Sequence, residues 1–155
     1  MQRDRHAGFT TVELVVTIVL IGVLAAIALP QLTGTSAYDQ LGFTDRTLAI
    51  LQYAQKSAIS RRRQVCVTFT ATSATLRFSS AFTPAVCDTD LTGPGGELIP
   101  GGFTIAASGQ VKYAPTPANF TFNPLGQASV GQAITFNGVN VRAITVESDT
   151  GYVHY

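Results

Sequence analysis

Gly8-Phe9-Thr10-Thr11-Val12-Glu13, followed without a charge by LVVTIVLIGVLAAIAL over residues 14–29, is the stretch that decides how this chain is read. From Phe9 to Pro30 the run is about the twenty residues an α-helix needs to cross a hydrocarbon core of roughly 30 Å. A globular core does not need so long an apolar run, and Thr17 and Gly22 are its only non-aliphatic residues after Glu13. Glu13 is the anomaly. A carboxylate at membrane depth costs at least about 2.5 kcal/mol, so such a residue is expected to have a partner and a function.

Arg3 and Arg5 precede the run, and the positive-inside rule therefore leaves residues 1–8 on the cytoplasmic side and sends the chain after Pro30 outward. A secretory signal peptide is the rival reading, with Ala26-Ile27-Ala28 as a small-x-small cleavage site. Glu13 within the apolar region, the length of that region and Pro30 just past the cut all count against it. An uncleaved anchor accounts for the length but not for Glu13 at that distance from Gly8-Phe9.

On these residues the N-terminal part resembles the type IV pilin-like proteins, the pilins and pseudopilins. Their precursors carry a short basic leader ending in Gly, then Phe, with Glu at the fifth mature position; here these are Gly8, Phe9 and Glu13. The resemblance implies cleavage after Gly8 by a prepilin peptidase and N-methylation of Phe9. It also implies that Glu13 pairs with the α-amine of a neighbouring subunit, and that Gly22 and Pro30 are points where the helix kinks. Loss of Arg3, Asp4 and Arg5 with the leader leaves a mature side-chain balance of zero, which gives no support for bulk polyanion binding.

Beyond a polar stretch at Gly34–Gln40, helical spacing resumes. Phe43, Thr47, Ile50, Ala54 and Ala58 form an apolar stripe that Leu51 and Ile59 widen. This reads as the outer half of the same long helix, ending near Arg61, Arg62 and Arg63, where cations suit the helix C-terminus. Contact with phosphate or a partner is the functional alternative for the three arginines.

After Gln64 the period changes to two, giving strands at Val65–Thr70 and Ala74–Phe78. Short strands are expected at Phe103–Ala106, Gln110–Tyr113 and Asn119–Asn123. Asn137-Gly138 predicts a hairpin within Ala133–Val141, because both turn positions need positive φ. Arg142–Ser148 and Tyr152–Tyr155 complete the sheet. Residues 79–102, rich in Gly and Pro, read as one long loop. The expected organisation is a leader at 1–8, a membrane or filament-core helix at 9–30, its amphipathic continuation at 31–64 and a β domain at 65–155.

Cys66 and Cys87 are the only cysteines. An oxidising compartment would let them pair, and two buried free thiols are the alternative. Asp88, Asp90 and Glu97 are oxygen donors, but their spacing matches no EF-hand loop, so a solvated acidic loop without metal is expected; Ca²⁺ in a comparable loop, as some pseudopilins bind it, is the alternative that the resemblance implies. With His6 in the leader and His154 the only other histidine, a His-based triad or zinc site lacks its parts. There is no Walker-type phosphate loop and no CxxC pair. No catalytic residue and no cofactor are expected, and the chain reads as a non-enzyme.

The remainder resembles the GspH/FimT-like minor pilins and pseudopilins. The likeness rests on residues 53–61, an Ala-rich helix end before the Val65 strand, on Phe122-Asn123-Pro124-Leu125-Gly126, and on Ile144-Thr145-Val146 ahead of Thr150-Gly151-Tyr152-Val153. It implies an α+β, type IV pilin-like fold: a long N-terminal helix packed on a mainly antiparallel sheet. The implied function is a minor subunit that helps initiate or cap a filament, in type II secretion or type IV pilus biogenesis, including the mannose-sensitive haemagglutinin type. Implied partners are the prepilin peptidase, other pilin or pseudopilin subunits, the inner-membrane assembly platform and inner-membrane lipid, with the β domain periplasmic. DNA binding for natural transformation is the alternative function. Some members use a C-terminal Gly-Arg-x-Arg-like sequence for it, whereas residues 151–154 here read Gly-Tyr-Val-His without the cations that DNA phosphates require. A secreted or anchored periplasmic enzyme is the remoter alternative.

Overall fold

Phe43, Thr47, Ile50, Leu51, Ala54 and Ala58 are all buried, and they lie on one stripe of a helix that the computed structural model places at Ser36–Arg61 (α2). The structure describes residues 9–32, 36–82, 86–138 and 142–155, apart from the side chains of residues 28–32 and 36–37. A separate helix, Thr11–Leu32 (α1), belongs to an N-terminal unit of its own, and the domain from Ser36 onward forms the second unit. Residues 33–35 lie outside the described residues, so each unit is described by itself. The second helix begins at Ser36, within the stretch expected to be a polar interruption.

Two strands follow α2 as the change to period two predicts: Val65–Phe69 (β1) and Ser73–Phe78 (β2). They pair antiparallel from Val65↔Phe78 to Phe69↔Ala74. Thr89–Asp90 (β3) and Phe103–Ala106 (β4) lie along successive parts of the outer edge of β2. Phe120–Phe122 (β5) pairs with the other edge of β1. A second sheet consists of Gln132–Ile134 (β6), Ile144–Val146 (β7) and Val153–His154 (β8), in that order and antiparallel.

The stripe of α2 shares one core with Val65, Val67, Leu76 and Phe122 of the larger sheet and Ile144, Val146 and Val153 of the smaller one. Thr47 joins this stripe because its hydroxyl donates to the Phe43 carbonyl at 2.8 Å. Its oxygen then accepts from the Tyr113 hydroxyl at 3.1 Å. Burial pushes the Tyr113 phenol up to about 12, so it is a neutral donor at ordinary pH. Phe43, Phe69 and Phe136 ring Tyr113 at centroid distances of 5.0 to 5.4 Å.

Several expectations need correction. Ile59 is 47% exposed and does not extend the core stripe; it lies on the flank of α2, over Gly126. Gln110–Tyr113 is not a strand and contributes only a bridge from Tyr113 to Phe136. Asn137-Gly138 is not a two-residue hairpin turn, since the last β6–β7 pair is Ile134↔Ile144 and residues 135–143 connect the strands. Residues 139–141 of the expected strand lie outside the described residues. The physical reason is that Asn137 bonds elsewhere. Its side-chain oxygen accepts from Lys112 N at 2.6 Å and its amide donates to the Gln110 carbonyl at 2.7 Å, which anchors the 110–113 segment instead of closing a turn. The expected loop at 79–102 contains β3, and Leu91 just after it is fully buried.

The end of α2 satisfies its carbonyls by a Schellman arrangement, with Arg63 N bonded to Ala58 O at 3.1 Å and Arg62 N to Ile59 O at 3.2 Å. Arg62 occupies the left-handed position with φ 52°, where glycine is the usual occupant. Replacing it with glycine is expected to stabilise the fold by about 0.5 to 1 kcal/mol, because the left-handed penalty exceeds the added unfolded-state entropy. Urea denaturation of Arg62→Gly beside the parent chain checks this, with a rise in midpoint at unchanged slope as the expected result.

Candidate functional site: the N-terminal helix and the flanks of the domain

The residues singled out from the sequence fall into separate places. Gly8 lies outside the described residues. Phe9 is 83% exposed and lies two residues before the first residue of α1. Thr10 caps the helix: its hydroxyl accepts from Glu13 N at 3.2 Å, while its carbonyl accepts from Leu14 N at 3.1 Å. Thr10 and Glu13 therefore stand at the Ncap and N3 positions of α1, with the carboxylate in the first turn, where the helix dipole favours it. The Thr-x-x-Glu pattern before an apolar run is a readable signal for this.

Leu14, Val15, Val16, Ile18, Val19 and Leu20 are each at least half exposed, and they occupy every side of α1. A helix apolar all round requires cover from lipid or protein. Thr17 returns its hydroxyl to the Leu14 carbonyl at 2.8 Å and leaves no unpaired donor on that surface. The helix is continuous through Gly22 and Pro30. Among the described residues no helix is long and apolar enough to cross a membrane, and the described side chains of α1 stop at Ile27.

Cys66 and Cys87 form a disulfide with their Cα atoms 6.1 Å apart. It ties β1 to the segment entering β3. Beside it, the three arginines separate: the Arg61 guanidinium lies 4.8 Å from the Phe78 ring centroid and that of Arg63 lies 3.6 Å from that of Phe82, while Arg62 is exposed. Cation–π contacts hold two of the three against the domain.

The acidic residues after Ser79 serve the loop itself. Asp88 accepts from the Ser80 hydroxyl at 2.5 Å and from Ser80 N at 2.9 Å, and these bonds hold its carboxyl down to about 2. Asp90 takes the Arg77 guanidinium at 3.1 Å and Gly101 N at 2.9 Å. Among the described residues, no group of three His, Cys, Asp or Glu is placed to hold a metal ion. At the other end of the domain, His154 bonds the Tyr155 carbonyl at 2.9 Å and approaches Glu147 at 3.4 Å; the first contact and then the second raise its pKa above the ordinary imidazole value.

One junction was not visible in the sequence. Gln55 of α2 donates through Nε2 to Gly126 O at 3.2 Å and to Thr150 O at 2.9 Å. It joins the turn after β5 and the turn between β7 and β8 to the same helix. Sequence periodicity cannot reveal it, because Gln55 sits off the apolar stripe and its partners are 71 and 95 residues away.

Two crystal structures of the type IV minor pilin FimU of Pseudomonas aeruginosa (strain PAO1) are similar to this chain. The form in space group P21 has a TM-score of 0.53 at 15% identity, covering 77% of this chain and 90% of that chain. The form in P65 has a TM-score of 0.51 at 12% identity, covering 74% and 90%. At such identities the likeness establishes the fold, which is that of type IV pilins. No curated protein matches. The model of the prokaryotic N-terminal methylation motif matches residues 3–29. That of GspH, described as type II transport protein GspH, matches residues 44–150, most of α2 and all of the strands through β7. The chain belongs to the GspH family of type IV pilin-like minor pilins and pseudopilins.

Proposed function

We propose that this chain is a minor subunit that helps initiate or cap a type IV pilus-like filament, in type II secretion or in pilus biogenesis. The observation that carries the reading is the union of an N-terminal methylation motif at residues 3–29 with a GspH domain at 44–150 in one chain. Residues 9–30 would lie in the inner membrane until extraction and then in the filament core, with the domain from Ser36 on the periplasmic side. The apolar circumference of α1 supports this, since lipid and neighbouring helices are the two environments that cover such a surface.

Residues 1–8 are the leader in this reading. Prepilin peptidase cuts between Gly8 and Phe9 and methylates the Phe9 amine, and the assembly platform draws the subunit into the filament. Gly22 and Pro30 are the points at which α1 gives way during packing. Glu13 neutralises the α-amine of a neighbour in surroundings where an unpaired charge is costly. The disulfide-tied surface around Phe82 and the arginines faces outward, available to other subunits or to cargo.

Intact mass of the membrane-extracted protein tests the reading. The expected species begins at Phe9, with or without one methyl group. A species beginning at Leu29, as a secretory cut after Ala28 would leave it, or one retaining Met1 to Gly8, removes the filament role.

A further inference from the structure

We propose that the outer edge of β4 and the apolar slot beside it accept an added strand, an acidic-x-aliphatic segment of a non-identical neighbouring subunit. The inference rests on the filament-subunit reading for the source of that segment, and it specifies where and in which direction the segment binds.

The backbone of β4 is left half paired. It meets β2 from Ser73↔Ala106 to Leu76↔Phe103, and Ala107 N donates to Thr72 O at 2.8 Å. Directly opposed residues alternate between bonded and non-bonded pairs, so that bond fixes the phase of the ladder. Ala74↔Ile105 and Leu76↔Phe103 exchange the bonds, while the N–H and C=O groups of Thr104 and Ala106 point away from β2. Among the described residues nothing pairs with them. The other outer strands are covered. Ser129 N donates to Thr121 O beside β5, Gln132 of β6 engages both backbone groups of Ala118, and Gln52 donates to Val153 O of β8. The sequence of β4, Phe-Thr-Ile-Ala, holds neither lysine nor proline to blunt its edge. Such an edge is what an extended segment completes.

The side chains beside that edge select what the segment carries. Thr104 meets the Thr75 hydroxyl at 2.8 Å on one face of the sheet, whereas Phe103 and Ile105 project from the other face, towards α2. With Arg46, Ala49, Ile50 and Pro94 they line an apolar cleft of about 160 Å³, room for one aliphatic side chain. On an added strand the residues opposite Phe103 and Ile105 share their face, and they alternate with residues that point to solvent. An aliphatic residue at one of these two positions enters the cleft.

Charge sets the direction. Tyr53 packs edge-on against Phe103, and Asp39 accepts from the Ser108 hydroxyl, so α2 runs opposite to β4 and Arg46 falls at the Ile105 end of the cleft. Arg46 is exposed and has no carboxylate partner among the described residues. At the Phe103 end Glu97 folds over Gly93 beside the Phe103 ring. A carboxylate on the segment therefore belongs opposite Ile105, near Arg46, and the aliphatic residue opposite Phe103. Each strand pair in this domain is antiparallel, and an antiparallel addition meets Ile105 before Phe103. The segment consequently reads acidic-x-aliphatic from its N-terminal side. A strand of this length is a small contact, and the packing of α1 against neighbours raises its effective concentration.

The test uses the full chain extracted in mild detergent and the probe acetyl-Thr-Glu-Thr-photoleucine-Thr-amide. Illumination is expected to label residues 46–50 and 103–106. In the antiparallel register the central threonine amide of the probe faces Thr104, and the glutamate amide faces solvent. N-methylation of the first should lower labelling about fivefold, the scale of one hydrogen bond, and N-methylation of the second should leave it unchanged. Arg46→Glu should lower labelling several-fold, and a probe with lysine in place of glutamate should restore it. Equal effects of the two methylations, labelling elsewhere, or no response to Arg46→Glu would overturn the strand site. In cells, a photoreactive residue in place of the exposed Ala106 reads the source. An adduct to an acidic-x-aliphatic segment of a different subunit is expected; adducts only to a second copy of this chain or only to lipid overturn the proposal. A species beginning at Phe9 that takes no probe sinks the strand site and leaves the filament reading standing. Labelling at the site by a species that retains residues 1–8 keeps the strand site and removes the filament reading.

Discussion

Gly151→Val is expected to destabilise the domain by about 4 kcal/mol, combining a left-handed penalty with backbone overpacking. Gly151 has φ 63°, a region that a β-branched residue rarely occupies. A Cβ at this position would also stand 1.8 Å from the Gly126 carbonyl oxygen, with the amide nitrogen of Gln55 at 3.0 Å. The obstacle is backbone held from two sides, so nothing yields without moving the turn after β5 or the start of β8. Gly126 provides the contrast. Its φ is 86°, but a Cβ there would meet Ile59 Cδ1 and Cγ1, the far end of a half-exposed side chain that can rotate away. Gly126→Ala should therefore cost clearly less than Gly151→Val. Urea unfolding of both variants checks the ranking, and equal losses would mean that the close approach of the two turns contributes nothing beyond φ.

That junction marks the boundary of what was legible in the sequence. The α1 run was readable because composition alone specifies a helix apolar on all sides. The stripe of α2 was readable because Phe43 through Ala58 repeat at helical spacing over four turns, long enough for the period to dominate any single residue. Strands β1 and β2 followed from alternation that one buried face imposes. What failed is where side-chain hydrogen bonds override the local pattern. Asn137-Gly138 carries a hairpin signature, yet Asn137 closes onto residues 110–112, a choice made by contacts 25 and 27 residues away. Residues 79–102 look structureless by composition, but Arg77 and the edge of β2 recruit Asp90 into a strand. The same limit hid Gln55.

For the candidate site the outcome divides along the same line. Gly8, Phe9 and Glu13 form a linear motif, and the match to the methylation motif at residues 3–29 needs no tertiary structure. Arg61, Arg62 and Arg63 also form a linear cluster, but a run of like charges does not show which way each points. Phe78 and Phe82, which engage Arg61 and Arg63, come from β2 and the segment after it. In the structure Arg61 and Arg63 stack on rings of the domain, Arg63 half-buried and Arg61 still exposed, as Arg62 is.

Glu13→Ala is expected to abolish filament incorporation while leaving membrane insertion and cleavage after Gly8 intact. Under the proposed pairing, loss of Glu13 would leave the α-amine of a neighbouring Phe9 uncompensated, at a cost on the order of 3 to 5 kcal/mol per contact. The N-terminus of α1 supplies a competing explanation, because Glu13 sits at N3 behind Thr10, where a Glu or Gln side chain can complete a capping box worth about 1 kcal/mol that Ala cannot. Glu13→Gln separates the two. The bond from Glu13 N to the Thr10 hydroxyl is a backbone donation and survives either substitution, and glutamine serves as well as glutamate in a capping box. Glutamine carries no charge. If the ion pair governs assembly, Gln is as defective as Ala. If the cap governs it, Gln restores incorporation and Thr10→Val, which keeps Glu13, becomes the defective variant. Filament fractions sheared or purified from cells, probed beside the membrane fraction, read all three variants at once. Incorporation of Glu13→Ala at the parent level would remove the charge-pairing mechanism.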